Sequence, residues 1–119
     1  MKKNKYDRLS IINDLVNLNK PIDDLLIILK KYSWDYKGNE YIITSNHLIN
    51  ILEKNIKSQI TKHDIEKWAN AIESREDIGF DKNNKYLSDI IYKLANPYLE
   101  GELTSEFCNN TIKKLKMQK

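Results

Sequence analysis

Apolar residues recur at helical spacing along most of the chain. Leu9, Ile12, Leu15 and Val16, with Leu18 beyond them, outline a first helix. Pro21 suits the first turn of a second, with Asp23 and Asp24 near its positive end and Lys30 and Lys31 near its negative end. The core side of that helix is Ile22, Leu25, Leu26 and Leu29. Between Ser33 and Ile43 the pattern changes to aromatics flanking Lys37-Gly38-Asn39, which reads as a turn or a small hairpin. An isolated hairpin is marginal in water, so Trp34 and Tyr41 are expected to lean on the helices. Thr44 or Ser45 caps a third helix bearing Leu48, Ile49, Leu52 and Ile56. Thr61 caps a fourth, with Asp64 three residues later completing a capping box. Leu87, Ile90, Ile91, Leu94 and Ala95 mark a fifth helix, which Asn96-Pro97 ends. Thr104 caps a last one containing Phe107, Cys108, Thr111, Ile112 and Leu115. The expected fold is all-α: one domain over residues 1–119, a compact bundle of about six helices with a small hairpin or turn near 33–43.

One segment stands out, Ile65 to Asp81. Its first half puts Ile65, Trp68, Ala69 and Ile72 on one apolar helix face. Its second half sets Glu73, Arg75, Glu76, Asp77 and Asp81 around Ile78 and Phe80, with Gly79 between them. A tryptophan-bearing core helix therefore runs into a charged, mostly acidic turn anchored by two apolar residues. A shaped, charged surface of this kind is where binding tends to reside.

Composition narrows the class. The hydrophobic fraction of 40% and charged fraction of 31% are those of a solvated globule with one core. Only three glycines and two prolines interrupt it, which favours long helices and short connections. Cys108 is the sole cysteine, so no intrachain disulfide forms and a reducing compartment is expected. No signal-peptide pattern follows the basic start, and the longest apolar run, Leu25 to Leu29, is far below the roughly 20 residues of a spanning helix. The expected location is the cytoplasm, without membrane contact.

Net charge of +3 hides an uneven layout. From Asp64 to Glu106 ten acids face five bases, whereas Phe107 to the end carries four lysines and no acid. The acidic middle repels phosphate and attracts basic proteins, which argues against nucleic acid as the partner. The carboxylates expected to meet a partner are Glu66, Glu73, Glu76, Asp77, Asp81, Glu100 and Glu102. Arg75 either joins them or bridges internally to Glu76 or Asp81.

No catalytic, cofactor or metal constellation emerges. His63 and Asp64 are neighbours on a helix and so point about 100° apart. His47 lies sixteen positions earlier, with no cysteine at ligand spacing. Cys108 sits on the apolar side of its helix, as free cysteines commonly do. The paired acids match no calcium-loop spacing and accompany no phosphate loop. Trp68 is phased with the core, and the C-terminal lysines lack aromatic neighbours, so base stacking finds no platform.

At WANAIESREDIGFD (Trp68–Asp81), followed by LANPYLEGELT (Leu94–Thr104), the chain resembles small helical bacterial proteins, some of which act as immunity proteins beside polymorphic toxins, including those of contact-dependent growth inhibition. The likeness runs from about Trp34 to the last helix. It implies a cytoplasmic inhibitor, monomeric in a 1:1 complex, that binds and blocks one cognate toxin domain of the nuclease kind, with no catalytic residue of its own. The alternative from another class is a small nucleic-acid-associated or regulatory protein that uses the lysine-rich C-terminal helix.

Overall fold

The computed structural model describes residues 4–32, 40–81, 83–97 and 103–117. Among them are six helices and two short strands: α1 (Asn4–Asn17), α2 (Ile22–Leu29), β1 (Tyr41–Ile43), α3 (Ser45–Ile56), α4 (Lys62–Ser74), β2 (Ile78–Phe80), α5 (Lys85–Ala95) and α6 (Ser105–Met117). The fold is a mostly-α bundle. Helix α4 touches α1, α2, α3 and, most extensively, α5, while α3 touches α1, α4 and, chiefly, α6. The expected faces of α4 and α5 are buried in full, and α6 buries Cys108, Thr111, Ile112 and Leu115. Trp68 is fully enclosed, and its indole N–H donates to the Leu15 carbonyl at 2.9 Å.

Two apolar positions depart from the expected pattern. Leu9 is 45% exposed, because Arg8 lies nearer the centre of the Ile12–Leu15–Val16 face and takes the inward position. Ile56 is the last residue of α3, where the buried face runs out, and Ile51 is fully buried in its stead.

The strands correct the reading of two segments. β1 and β2 pair in parallel, with Tyr41, Ile42 and Ile43 opposite Ile78, Gly79 and Phe80. Ile78 and Phe80 are thus strand residues as well as anchors of the charged turn. Tyr41–Ile43 finds its partner beyond two intervening helices, as a parallel pair requires, and not in a local hairpin. The remainder of the expected hairpin, residues 33–39, lies outside the described residues. Tyr41 does lean on the helices: its hydroxyl meets Asn13 Oδ1 at 2.7 Å.

Helix ends follow polar signals. Thr61 and Asp64 form the expected capping box, with reciprocal bonds of 2.9 and 3.0 Å. Thr44 is the cap of α3, and Thr104 accepts from the Phe107 amide in α6. Helices α1 and α3 stop alike. Leu18 and Ser58 take positive φ, and the amides of Asn19 and Gln59 reach back to the carbonyls of Asp14 and Lys54. Lys54 then donates to the carbonyls of Asn17 and Leu18, which places an ammonium at the negative end of α1.

Left-handed backbone at a side-chain-bearing residue costs about 1–2 kcal/mol. Ser58 is exposed, so Ser58→Gly sacrifices no packing and is expected to stabilise the protein by roughly 0.5–1 kcal/mol, part of the relief being offset by glycine's freedom when unfolded. A higher urea midpoint checks this, and an unchanged or lower one contradicts it.

Candidate functional site

The charged segment after α4 divides into an interior and an exterior set. Arg75 ends α4 in extended conformation, which carries its side chain back towards the bundle. Its Nε and Nη2 each donate to the Asp77 carboxylate at 2.9 Å, a two-pronged grip. Arg8 of α1 donates to Oδ2 of the same carboxylate, the oxygen that Arg75 Nη2 also contacts, and its guanidinium lies 5.6 Å from the centre of the Tyr32 ring. Asp77 is only 3% exposed and Arg75 only 9%. The expectation that Asp77 faces a partner is therefore corrected: bound by two guanidiniums, its buried carboxylate is spent within the fold. For Arg75 the internal alternative is realised, with Asp77 as a partner.

The remaining acids face outward. Glu66 and Glu73 lie two helical turns apart on one flank of α4, about 100–120° around the helix from Lys67, which reaches Asp23 of α2 at 2.8 Å. Glu66 lies 3.7 Å from the exposed His63 ring. Partial burial pushes the Glu73 carboxyl above its ordinary pKa. Glu76 is exposed in the turn that the arginine pair holds in place. Asp81 is exposed just past β2, where its carboxylate accepts from the Asn83 amide at 2.9 Å and shapes the approach to α5. Glu100 and Glu102 lie outside the described residues.

Sequence reasoning missed the contribution of β1. Strand alternation turns Ile43 into the core and Ile42 outward, opposite Gly79. The Glu40 side chain crosses over Gly79 so closely that a methyl group there would collide with its carboxylate. The outer face of the strand pair is thus one exposed isoleucine, 45% accessible, beside a carboxylate. Glu76 lies before β2 and Asp81 after it. The signal in the sequence was the aromatic and β-branched run Tyr41-Ile42-Ile43, too short to be read without its distant partner.

The other candidate groups are structural in their contacts. Cys108 is buried, with its thiol 3.8 Å from Asn55 Oδ1, and burial pushes its pKa up. His47 forms part of the α3 cap. Among the described residues no cluster of three His, Cys, Asp or Glu side chains is placed to hold a metal ion, and no helix is long and apolar enough to cross a membrane. No family model matches the chain, and comparison with curated proteins and with solved structures likewise gives no match.

Proposed function

We propose that this chain is an immunity protein, a cytoplasmic inhibitor that binds a cognate nuclease-type toxin domain one to one and blocks it. The resemblance of Trp68–Asp81 and Leu94–Thr104 to such proteins supports the reading. So does the outward set of Glu66, Glu73, Glu76 and Asp81, to which Glu40 and Ile42 add a fifth acid and an apolar contact. The observation that carries most weight is the buried Arg8–Asp77–Arg75 pairing. It fixes the backbone from which Glu76 projects, so the carboxylates are ordered before a partner arrives and little entropy is lost on binding. Carboxylates held in this way complement a cationic cleft built for phosphate. Glu100 and Glu102 stay in the proposed contact set on their sequence alone, and the reading assigns the chain no reaction of its own.

Charge reversal of Glu66, Glu73 and Glu76 together tests the surface. Substitutions at solvated positions cost little, so the thermal melt should stay near that of the wild type. Calorimetric affinity for a cognate toxin domain should fall, by about 2–5 kcal/mol if these acids meet desolvated cations. Contacts at the rim would show instead as a slower on-rate with steeper salt dependence. Wild-type affinity in the triple variant would remove these acids from the interface. The competing reading has Lys113, Lys114 and Lys116, all exposed on α6, binding nucleic acid. Salt-sensitive binding of RNA or DNA, lost on replacing those lysines, would favour it.

A further inference from the structure

The junction between β1 and α3 is closed by a histidine in an unusual role. The third residue of a helix that completes a capping box is ordinarily Glu or Gln, whose side chain accepts from the cap's amide. Here it is His47. The Thr44 amide donates to His47 Nδ1 at 2.9 Å, and Thr44 Oγ1 lies 3.1 Å from the same nitrogen. Nδ1 must therefore be the bare nitrogen of a neutral ring, with the hydrogen on Nε2. Protonation puts a second hydrogen on Nδ1, so donor faces donor across the cap, and it places a positive charge at the positive end of α3.

The surroundings transmit this local change. The His47 ring lies 5.8 Å from the ring of Tyr41 in β1, and the Tyr41 amide donates to the Asp77 carbonyl at 2.8 Å. The next residue after the cap, Ser45, accepts from Asn84, which itself caps α5. Among the described residues, Tyr41 is the titratable group whose ring lies against His47, while the Glu40 carboxylate lies over Gly79 and Lys85 reaches Asp89 at 3.2 Å. Burial holds the His47 pKa below its ordinary value.

We propose that the Thr44–His47 cap is an acid-sensitive latch: protonating His47 releases the start of α3 and loosens β1 from β2, the strand pair that carries Glu40 and Ile42. The sign follows from linkage. With a native pKa below the unfolded one, the closed latch is fully stabilised above the ordinary histidine value and weakens as pH falls through the window beneath it.

The test uses the intact protein, followed by NMR. Nitrogen shifts of His47 should report the Nε2–H form at pH 7.5, and its titration should fall below the ordinary range. Protection of the Tyr41 amide against exchange should drop as pH falls, by up to about tenfold for each pH unit between the native pKa and the ordinary one. The variant His47→Gln keeps an accepting side chain in the box and does not titrate there. In that variant the Tyr41 protection should be flat over the same window, whereas His63→Gln should behave as the wild type. A Nδ1–H tautomer, a His47 pKa at or above the ordinary value, or equal pH responses in wild type and His47→Gln would each overturn the proposal.

Discussion

Trp68→Ala should destabilise the protein by about 3–5 kcal/mol, the usual cost of emptying a large core site. Trp68 is the largest of the fully buried side chains, phased with Ile65, Ala69 and Ile72 on the inner face of α4. Its removal also takes the indole N–H from the Leu15 carbonyl, one of the last in α1. The loss therefore combines a cavity between α4 and α1 with a weakened helix end. A melt lowered by roughly ten degrees or more is expected. A melting temperature within a degree or two of the wild type would contradict the packing described.

Asp77→Ala should cost a similar amount, about 3–5 kcal/mol, through a different mechanism. Removing one partner of a buried ion pair leaves the other charge without compensation, and here two guanidiniums converge on the lost carboxylate. The neighbouring acid supplies the control. Glu76→Ala, one residue away and exposed, should stay within about 0.5 kcal/mol of the wild type. Urea denaturation of the two variants checks the contrast, and small equal effects would contradict it. Asp77 thus does not belong in a charge-reversal test of the surface, because reversing it would perturb the fold and mimic a loss of binding.

The helical faces were legible because burial on one side of a helix writes a period of 3.6 into the sequence. Ile65–Ile72 and Leu87–Ala95 carry that period without interruption, and the structure buries both sets. What could not be read were pairings between distant residues. Arg8 and Asp77 are 69 positions apart, and nothing local marks an arginine near the chain's start as the partner of an aspartate in a later turn. The only hint was that Arg8 stands one turn before Ile12, on the core face of α1. The parallel pairing of β1 with β2 was hidden for a related reason. Each strand has three residues, too few for a clear alternation, and helices α3 and α4 lie between them. The His47 cap was masked by residue type, since a histidine three places after a threonine does not fit the usual box pattern. Of the expected contact acids, the outward positions of Glu66, Glu73, Glu76 and Asp81 were legible from helix phase and turn chemistry. The burial of Asp77 depended on a partner outside the segment.

The proposed function is tested most directly by titrating this chain into a fixed amount of a cognate nuclease-type toxin domain while following that domain's activity. Stoichiometric inhibition through a preorganised acidic surface predicts a linear fall that ends at one equivalent of inhibitor, with the Glu66, Glu73 and Glu76 triple reversal needing an excess to reach the same end. Full activity in the presence of several equivalents, or complete loss at a small fraction of one, would contradict it.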